Sequence, residues 1–280
     1  MGDGHLMHTV KVGNFEIGGQ NPLVLIAGPC VLEGLERSLY IGKTIKEITQ
    51  RLGMPYVFKS SFDKANRSSF TSYRGPGLDK GLEMLRQIKD ELGVPLLTDI
   101  HSESQVQPAA ENIDILQIPA FLCRQTDLLC SAAHTGRVVN VKKGQFMSPK
   151  DMKNVIRKIE ESGDIEILLT ERGATFGYNN LVVDMRSFPV MRSFGYPVVF
   201  DATHSVQLPG AGGGVSAGNR EYVEYLARAA AGAGINALFM EVHDNPEEAL
   251  CDGPNMYYLD KLEDLLKDVL AIHEVVRKKL

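Results

Sequence analysis

Leu23-Val-Leu-Ile-Ala-Gly-Pro-Cys30 is an apolar run that ends in a turn pair and then a thiol. A strand with one wet face alternates apolar and polar residues, whereas a continuous run fits a strand buried on both faces, as in a parallel sheet. The design recurs down the chain. Tyr56-Val-Phe58 reaches Lys59, Pro95-Leu-Leu97 reaches Asp99 and His101, and Ile113-Asp-Ile-Leu116 reaches Gln117. Val138-Val-Asn-Val141 reaches Lys142 and Lys143, and Ile167-Leu-Leu169 reaches Glu171 and Arg172. Val198-Val-Phe200 reaches Asp201 and His204, and Ala237-Leu-Phe-Met240 reaches Glu241. Eight such strands, each leaving a reactive side chain just past its C-terminal end, predict an α/β fold, a (β/α)8 TIM barrel with its active site at that end. The chain is expected to be an enzyme.

Between the runs, residues 35–52, 77–92, 148–162, 219–232 and 257–278 repeat apolar positions at helical spacing. Ser148-Pro149 reads as an N-cap followed by proline at the first helical position. An open doubly wound sheet is the alternative, but it usually needs fewer strands. Val10, Val12, Phe15 and Ile17 flank Gly13-Asn14, the pattern of a β-hairpin. The reading is therefore one domain over residues 1–280: an N-terminal hairpin in 1–20 closing the barrel bottom, and the barrel in 21–280. Gln207-Leu-Pro-Gly-Ala-Gly-Gly-Gly-Val-Ser-Ala-Gly-Asn219 lacks the phosphate-loop pattern, and residues 208–218 are expected to form a mobile lid over the barrel mouth.

The totals exclude several classes. A length of 280 residues fits one barrel, and 44% apolar with 23% charged residues is ordinary for a soluble domain. A net charge of −5 argues against nucleic acid or an anionic membrane as partner. No run is long enough for a membrane span, and the first ten residues lack a secretory pattern. Four cysteines without a C-x-x-C pair suit reduced thiols, so a cytoplasmic location is expected.

Lys59, Lys64, Arg67, Lys142, Lys143 and Arg172 all follow strand ends. On a helix surface such residues are merely solvated, but crowded at a barrel mouth they repel one another unless anions bind. Their number suits two anionic substrates, or one carrying phosphate and carboxylate. Cys30, His204 and Glu241 end strands one, seven and eight, which are neighbours in a closed barrel, and Asp252 follows strand eight. Thiolate, imidazole and two carboxylates suit Zn²⁺, Fe²⁺, Mn²⁺ or Co²⁺. The competing reading is a buried structural Cys30 and a hydrogen-bonded His204.

Phe58-Lys-Ser-Ser-Phe-Asp-Lys-Ala-Asn-Arg-Ser-Ser69 strongly resembles the 3-deoxy-D-manno-octulosonate-8-phosphate synthase family. So do Ile26-Ala-Gly-Pro-Cys30, Asp114–Leu122, Asn140–Phe146, Glu171-Arg-Gly173, Phe200–Gln207, Glu241-Val-His243 and Cys251-Asp-Gly-Pro254, in order along most of the chain. The related heptulosonate-phosphate synthases usually carry Lys-Pro-Arg-Thr where this chain has Lys64-Ala-Asn-Arg67.

The resemblance implies condensation of phosphoenolpyruvate with arabinose 5-phosphate in lipopolysaccharide precursor synthesis, releasing phosphate. It implies Lys64, Gln117, Lys142 and Arg172 at the phosphoenolpyruvate, and Asn66, Arg67 and Ser68 at the sugar phosphate. Lys59, Lys64, Asp99 and His204 are implied near the chemistry, with His204 able to serve as ligand alone. Arg124 is implied to serve a neighbouring subunit's site in a homotetramer. Cys30 resembles the metal-requiring branch of the family, with His204, Glu241 and Asp252 as co-ligands. Cys251-Asp-Gly-Pro254 instead resembles the metal-free branch. Rival readings are the heptulosonate-phosphate reaction with erythrose 4-phosphate, and a Schiff-base aldolase using Lys142 or Lys59.

Overall fold

All eight expected strands are present in the computed structural model, which describes residues 8–67, 69–212 and 217–280. A hairpin of β1 (Val10–Val12) and β2 (Phe15–Ile17) comes first. The alternation then runs β3 (Val24–Gly28), α1 (Leu35–Leu52), β4 (Tyr56–Lys59), α2 (Leu78–Leu92), β5 (Leu96–Asp99) and α3 (Glu103–Ala110). It continues through β6 (Ile115–Ile118), α4 (Thr126–Ala133), β7 (Val138–Lys142), α5 (Met152–Glu160) and β8 (Ile167–Glu171). After a small hairpin of β9 (Ala174–Thr175) and β10 (Leu181–Val182) come α6 (Ser187–Arg192), β11 (Val198–Asp201), α7 (Val223–Ala233), β12 (Ala237–His243), β13 (Tyr257–Tyr258) and α8 (Leu262–Arg277).

The strands β3 to β8 pair in sequence order, β11 joins β8 and β12, and β12 returns to β3, all in parallel. The sheet is therefore a closed barrel. Every residue of these eight strands is buried, which explains the unbroken apolar runs. Alternate residues split between two cores. Val24, Ile26, Val57, Leu97, Ile115, Val138, Leu168, Val199 and Phe239 pack together in one cluster with Val10, Val12 and Ile17 of the hairpin. Leu23, Leu25, Ala27, Phe58 and Leu96 pack instead with apolar residues of the helices. The hairpin turn sits at the start of β5, where a Cβ on Gly13 would meet the Pro95 ring at 3.0 Å. Among the described residues no helix is long and apolar enough to cross a membrane.

Three boundaries differ from expectation. Tyr257–Tyr258, read as the start of the last helix, pairs with Val242–His243 as β13, so α8 starts only at Leu262. Ser148 does cap, its hydroxyl accepting from Lys150 N, but the first turn (Pro149–Asp151) is 3₁₀ and α5 follows. The helix expected from residue 219 likewise begins as a 3₁₀ turn before α7.

Candidate active site

A cavity of about 790 Å³ opens where the barrel strands end, lined by Lys59, Lys64, Asn66, Arg67, Asp99, Gln117, Lys142, Arg172, His204, Glu241 and Asp252. Cys30 is buried beside this set, its Sγ 3.7 Å from Asp252 Oδ2. Arg124 is exposed and does not line the cavity. Ser68 lies outside the described residues, as do residues 213–216 of the glycine-rich segment. The flanks of that segment form a neck, with Leu208 N donating to Ala217 O at 2.8 Å. Leu208, Pro209, Gly210 and Ala217 line the cavity.

The close approach of β3 to β4 brings the thiol and the lysines together. A Cβ on Gly28 would meet Lys59 O at 2.0 Å, so only glycine fits there. Lys59 Nζ then donates to Cys30 O at 3.0 Å and to Glu241 Oε1 at 2.5 Å. Lys64 Nζ is 3.6 Å from the same Oε1. Glu241 Oε2 is buried with no hydrogen-bond partner, 3.4 Å from His204 Nε2. That Nε2 is also 3.9 Å from Asp252 Oδ2. Burial opposes ionisation of Glu241, yet His204, Lys59, Lys64 and Lys142 hold its carboxyl well below the usual range. Burial is also the main reason that the Cys30 thiol is pushed well up, with Cys251 and Glu241 adding to it. An orphaned carboxylate oxygen among imidazole, carboxylate and thiol donors fits a divalent cation and would otherwise be costly to bury.

One residue that the sequence left without a role organises the site. Asp201 Oδ2 accepts from Lys142 Nζ at 2.5 Å and pairs with His204 Nδ1 at 2.7 Å, while Oδ1 accepts from His204 N at 3.0 Å. Burial opposes its ionisation, but His204 and Lys142 hold it far below the usual carboxylate range. The signal was the Asp-x-x-His spacing at a strand end, which puts a carboxylate one turn from an imidazole. Phe239, buried in the barrel interior, lies under this pair, its ring centroid 4.1 Å from Lys142 Nζ.

Lys142 and Lys143 part company. Lys142 lines the cavity, whereas Lys143, counted among the mouth cations, is 1% exposed and does not. Its Nζ donates to Gly144 O and Met147 O, each at 3.3 Å, and lies 3.4 Å from Glu171 Oε1. Successive residues leave a strand on opposite sides, so only one of the pair can face the barrel axis. Arg172 Nη2 donates to Gln207 Oε1 at 2.6 Å, and Nη1 is buried with no hydrogen-bond partner. Such a guanidinium edge is suited to a carboxylate or phosphate. Asp99 accepts from Ser61 Oγ at 2.5 Å and pairs with His101 Nε2 at 2.9 Å. Among the described residues Arg67 is engaged by Phe70 of its own loop, donating to Phe70 O at 3.1 Å. Gln117 Oε1 accepts from Asn140 Nδ2 at 3.0 Å, which fixes its amide on the cavity floor.

Comparison with known proteins finds relatives along nearly the whole chain. A protein of Geobacter metallireducens described as 2-dehydro-3-deoxyphosphooctonate aldolase is 61% identical over 272 residues, covering 97% of this chain and 100% of the relative. Relatives of the same description are 61% identical in Trichlorobacter lovleyi, over 96% of this chain and 98% of the relative, and 59% identical in Geobacter sulfurreducens, over 97% and 100%. The match to the DAHP synthetase I family runs through residues 7–277 and so takes in the hairpin and the whole barrel to the end of the last helix. The chain belongs to that family.

Proposed function

We propose that this enzyme condenses phosphoenolpyruvate with arabinose 5-phosphate and water, giving 3-deoxy-D-manno-octulosonate 8-phosphate and inorganic phosphate. The relatives' description names the same activity from the product side. The observation that carries the reading within this chain is the position of the Lys64-Ala-Asn-Arg67 segment. It lines the cavity, with Lys64 Nζ 3.6 Å from Glu241 Oε1, so the segment that separates the two sugar acceptors stands beside the reacting groups.

Lys142, Arg172 and Gln117 hold the carboxylate and phosphate of phosphoenolpyruvate in this reading, and Arg172 Nη1 gains the partner it lacks in the protein. Asn66 and Arg67, which line the cavity, grip the sugar phosphate together with Ser68, which lies outside the described residues. Arg124, exposed and outside the cavity, is assigned to the site of a second copy in a homotetramer. The enol carbon attacks the aldehyde carbon, water adds to the neighbouring carbon, and phosphate leaves. Lys64 stands ready to donate to the developing alkoxide; burial weakens its charge, but Cys30 and Glu241 outweigh that and keep it protonated. Lys59 neutralises Glu241, and Asp99 and its bonded Ser61 bound the sugar side. Holding both substrates with one face of the enol on the aldehyde is a positioning effect that can reach about 7–11 kcal/mol.

Cys30, His204, Glu241 and Asp252 are the residues that would hold a divalent ion (zinc, iron, manganese or cobalt). Bound there, such an ion orients the aldehyde or the water and supports developing negative charge. The synthesis is assigned to the cytoplasm.

The test is product identity. Phosphoenolpyruvate and arabinose 5-phosphate should give one eight-carbon phosphorylated acid by mass spectrometry, and borohydride added during turnover should leave the protein unlabelled. Labelling of Lys142 or Lys59 would point to the Schiff-base aldolase instead.

A further inference from the structure

The described residues place a second thiol at the proposed ion site. Cys30 Sγ, Cys251 Sγ and a carboxylate oxygen of Asp252 all lie within 4.8 Å of one another, and a nitrogen of His204 with oxygens of Glu241 and Asp252 forms a second such group. Asp252 belongs to both. Cys251 also lines the cavity, and both thiols are free. We propose that Cys251 is a metal ligand in its own right, so that the ion is held by two sulfurs, Cys30 and Cys251, rather than one. This rests on the reading that an ion binds between Cys30, His204, Glu241 and Asp252.

The loop after β12 is built to deliver two consecutive side chains to one point. In extended chain, neighbours point to opposite sides. Asp252 escapes that rule with φ of 49°, a left-handed conformation that is uncommon outside glycine. The turn is pinned on several sides. Asp252 O accepts from Asn255 N at 2.9 Å and Met256 N at 3.2 Å, and Arg220 Nη2 donates to Gly253 O at 2.6 Å. A Cβ on Gly253 would meet Pro246 O at 2.5 Å, so the chain is packed tightly just beyond the turn. Backbone strain held in place by this many contacts accords with a functional constraint on where the two side chains go.

Charge supports the assignment. Two thiolates with Glu241 and Asp252 carry four negative charges, and a divalent ion offsets two. The ammonium groups of Lys59 and Lys64, 2.5 and 3.6 Å from Glu241 Oε1, supply the other two. The donor set also sets preference: two thiolates favour zinc and cobalt over manganese more strongly than one thiolate among oxygens does.

The experiment uses the full-length protein stripped of metal and reloaded with Co²⁺ alone. Near-ultraviolet sulfur-to-cobalt charge-transfer absorption is read per mole of cobalt bound, with cobalt counted by elemental analysis. Each coordinated thiolate adds to this band, so Cys251→Ser should lower it by about half, and Cys30→Ser by a similar share. Cys251→Ala, which cannot coordinate through oxygen, should show the same loss. The double variant should show no band. Full intensity in both Cys251 variants, with the band abolished in Cys30→Ser, overturns the second ligand and leaves the single-thiolate site standing. Wild-type protein that binds no cobalt by elemental analysis overturns the ion site and this proposal together.

Discussion

Asp201 Oδ2 lies 2.7 Å from His204 Nδ1 and fixes the orientation of the ring. The ionised carboxylate occupies the Nδ1 side of the ring, so Nε2 is the nitrogen that faces Glu241 and Asp252. A carboxylate behind a ligating imidazole typically contributes about 10–100-fold to metal affinity. Asp201→Asn should therefore weaken Zn²⁺ binding within that range in a competition titration, while circular dichroism shows the barrel intact. Unchanged affinity would remove Asp201 from this role.

The sugar-phosphate grip gives a split between substrates. Among the described residues Arg67 has no acidic partner and its hydrogen bonds go to Phe70 O, which leaves its guanidinium available to a phosphate. Arg67→Ala should raise the KM for arabinose 5-phosphate by a factor matching roughly 2–3 kcal/mol, with little change for phosphoenolpyruvate. Equal effects on both would reassign the segment.

His101 predicts a pH dependence of stability. Burial opposes its charged form, but Asp99 at 2.9 Å outweighs burial and raises its pKa above the usual 6.5. A raised folded-state value means that folding favours the protonated ring. That stabilisation is complete below the unfolded value and is lost as pH rises through the folded one. The urea-unfolding difference between wild type and His101→Gln should be larger at about pH 5.5 than at about pH 9. A difference independent of pH would mean that the pair does not titrate on folding.

Removal of metal should stop turnover. Glu241 Oε2 and His204 Nε2 lie 3.4 Å apart with no hydrogen bond between them. Exhaustive chelation should abolish activity, and Mn²⁺, Co²⁺, Fe²⁺ or Zn²⁺ should restore it to differing degrees. Cys30→Ala should lose both metal and activity. Undiminished turnover by protein shown metal-free by elemental analysis would contradict the role of the cluster.

The barrel was legible because all eight strands are buried on both faces, and buried parallel strands write themselves as continuous apolar runs. Cys30, His204 and Glu241 were legible for the same reason: once the strands close in order, their ends are neighbours. What was hidden depends on backbone detail that composition does not carry. Tyr257–Tyr258 reads as helix because two residues are too few to show a strand period, and only pairing with β12 makes them β13. Lys143 looked like a twin of Lys142, but the alternation of a strand exit turns it into the adjacent loop, where Glu171 and main-chain oxygens hold it. Cys251 was counted only as a free thiol and part of a motif. It lies beside Cys30 and Asp252 in a turn where Asp252 is left-handed, a conformation that no spacing rule announces.

The most direct test of the account is the initial rate of phosphate release from phosphoenolpyruvate with three additions: arabinose 5-phosphate, erythrose 4-phosphate, or neither. The account predicts release with arabinose 5-phosphate, matched mole for mole by the eight-carbon product, and only background release in the other two. An equal or faster rate with erythrose 4-phosphate would contradict the assignment of the Lys64-Ala-Asn-Arg67 segment and move the enzyme to the heptulosonate-phosphate reaction.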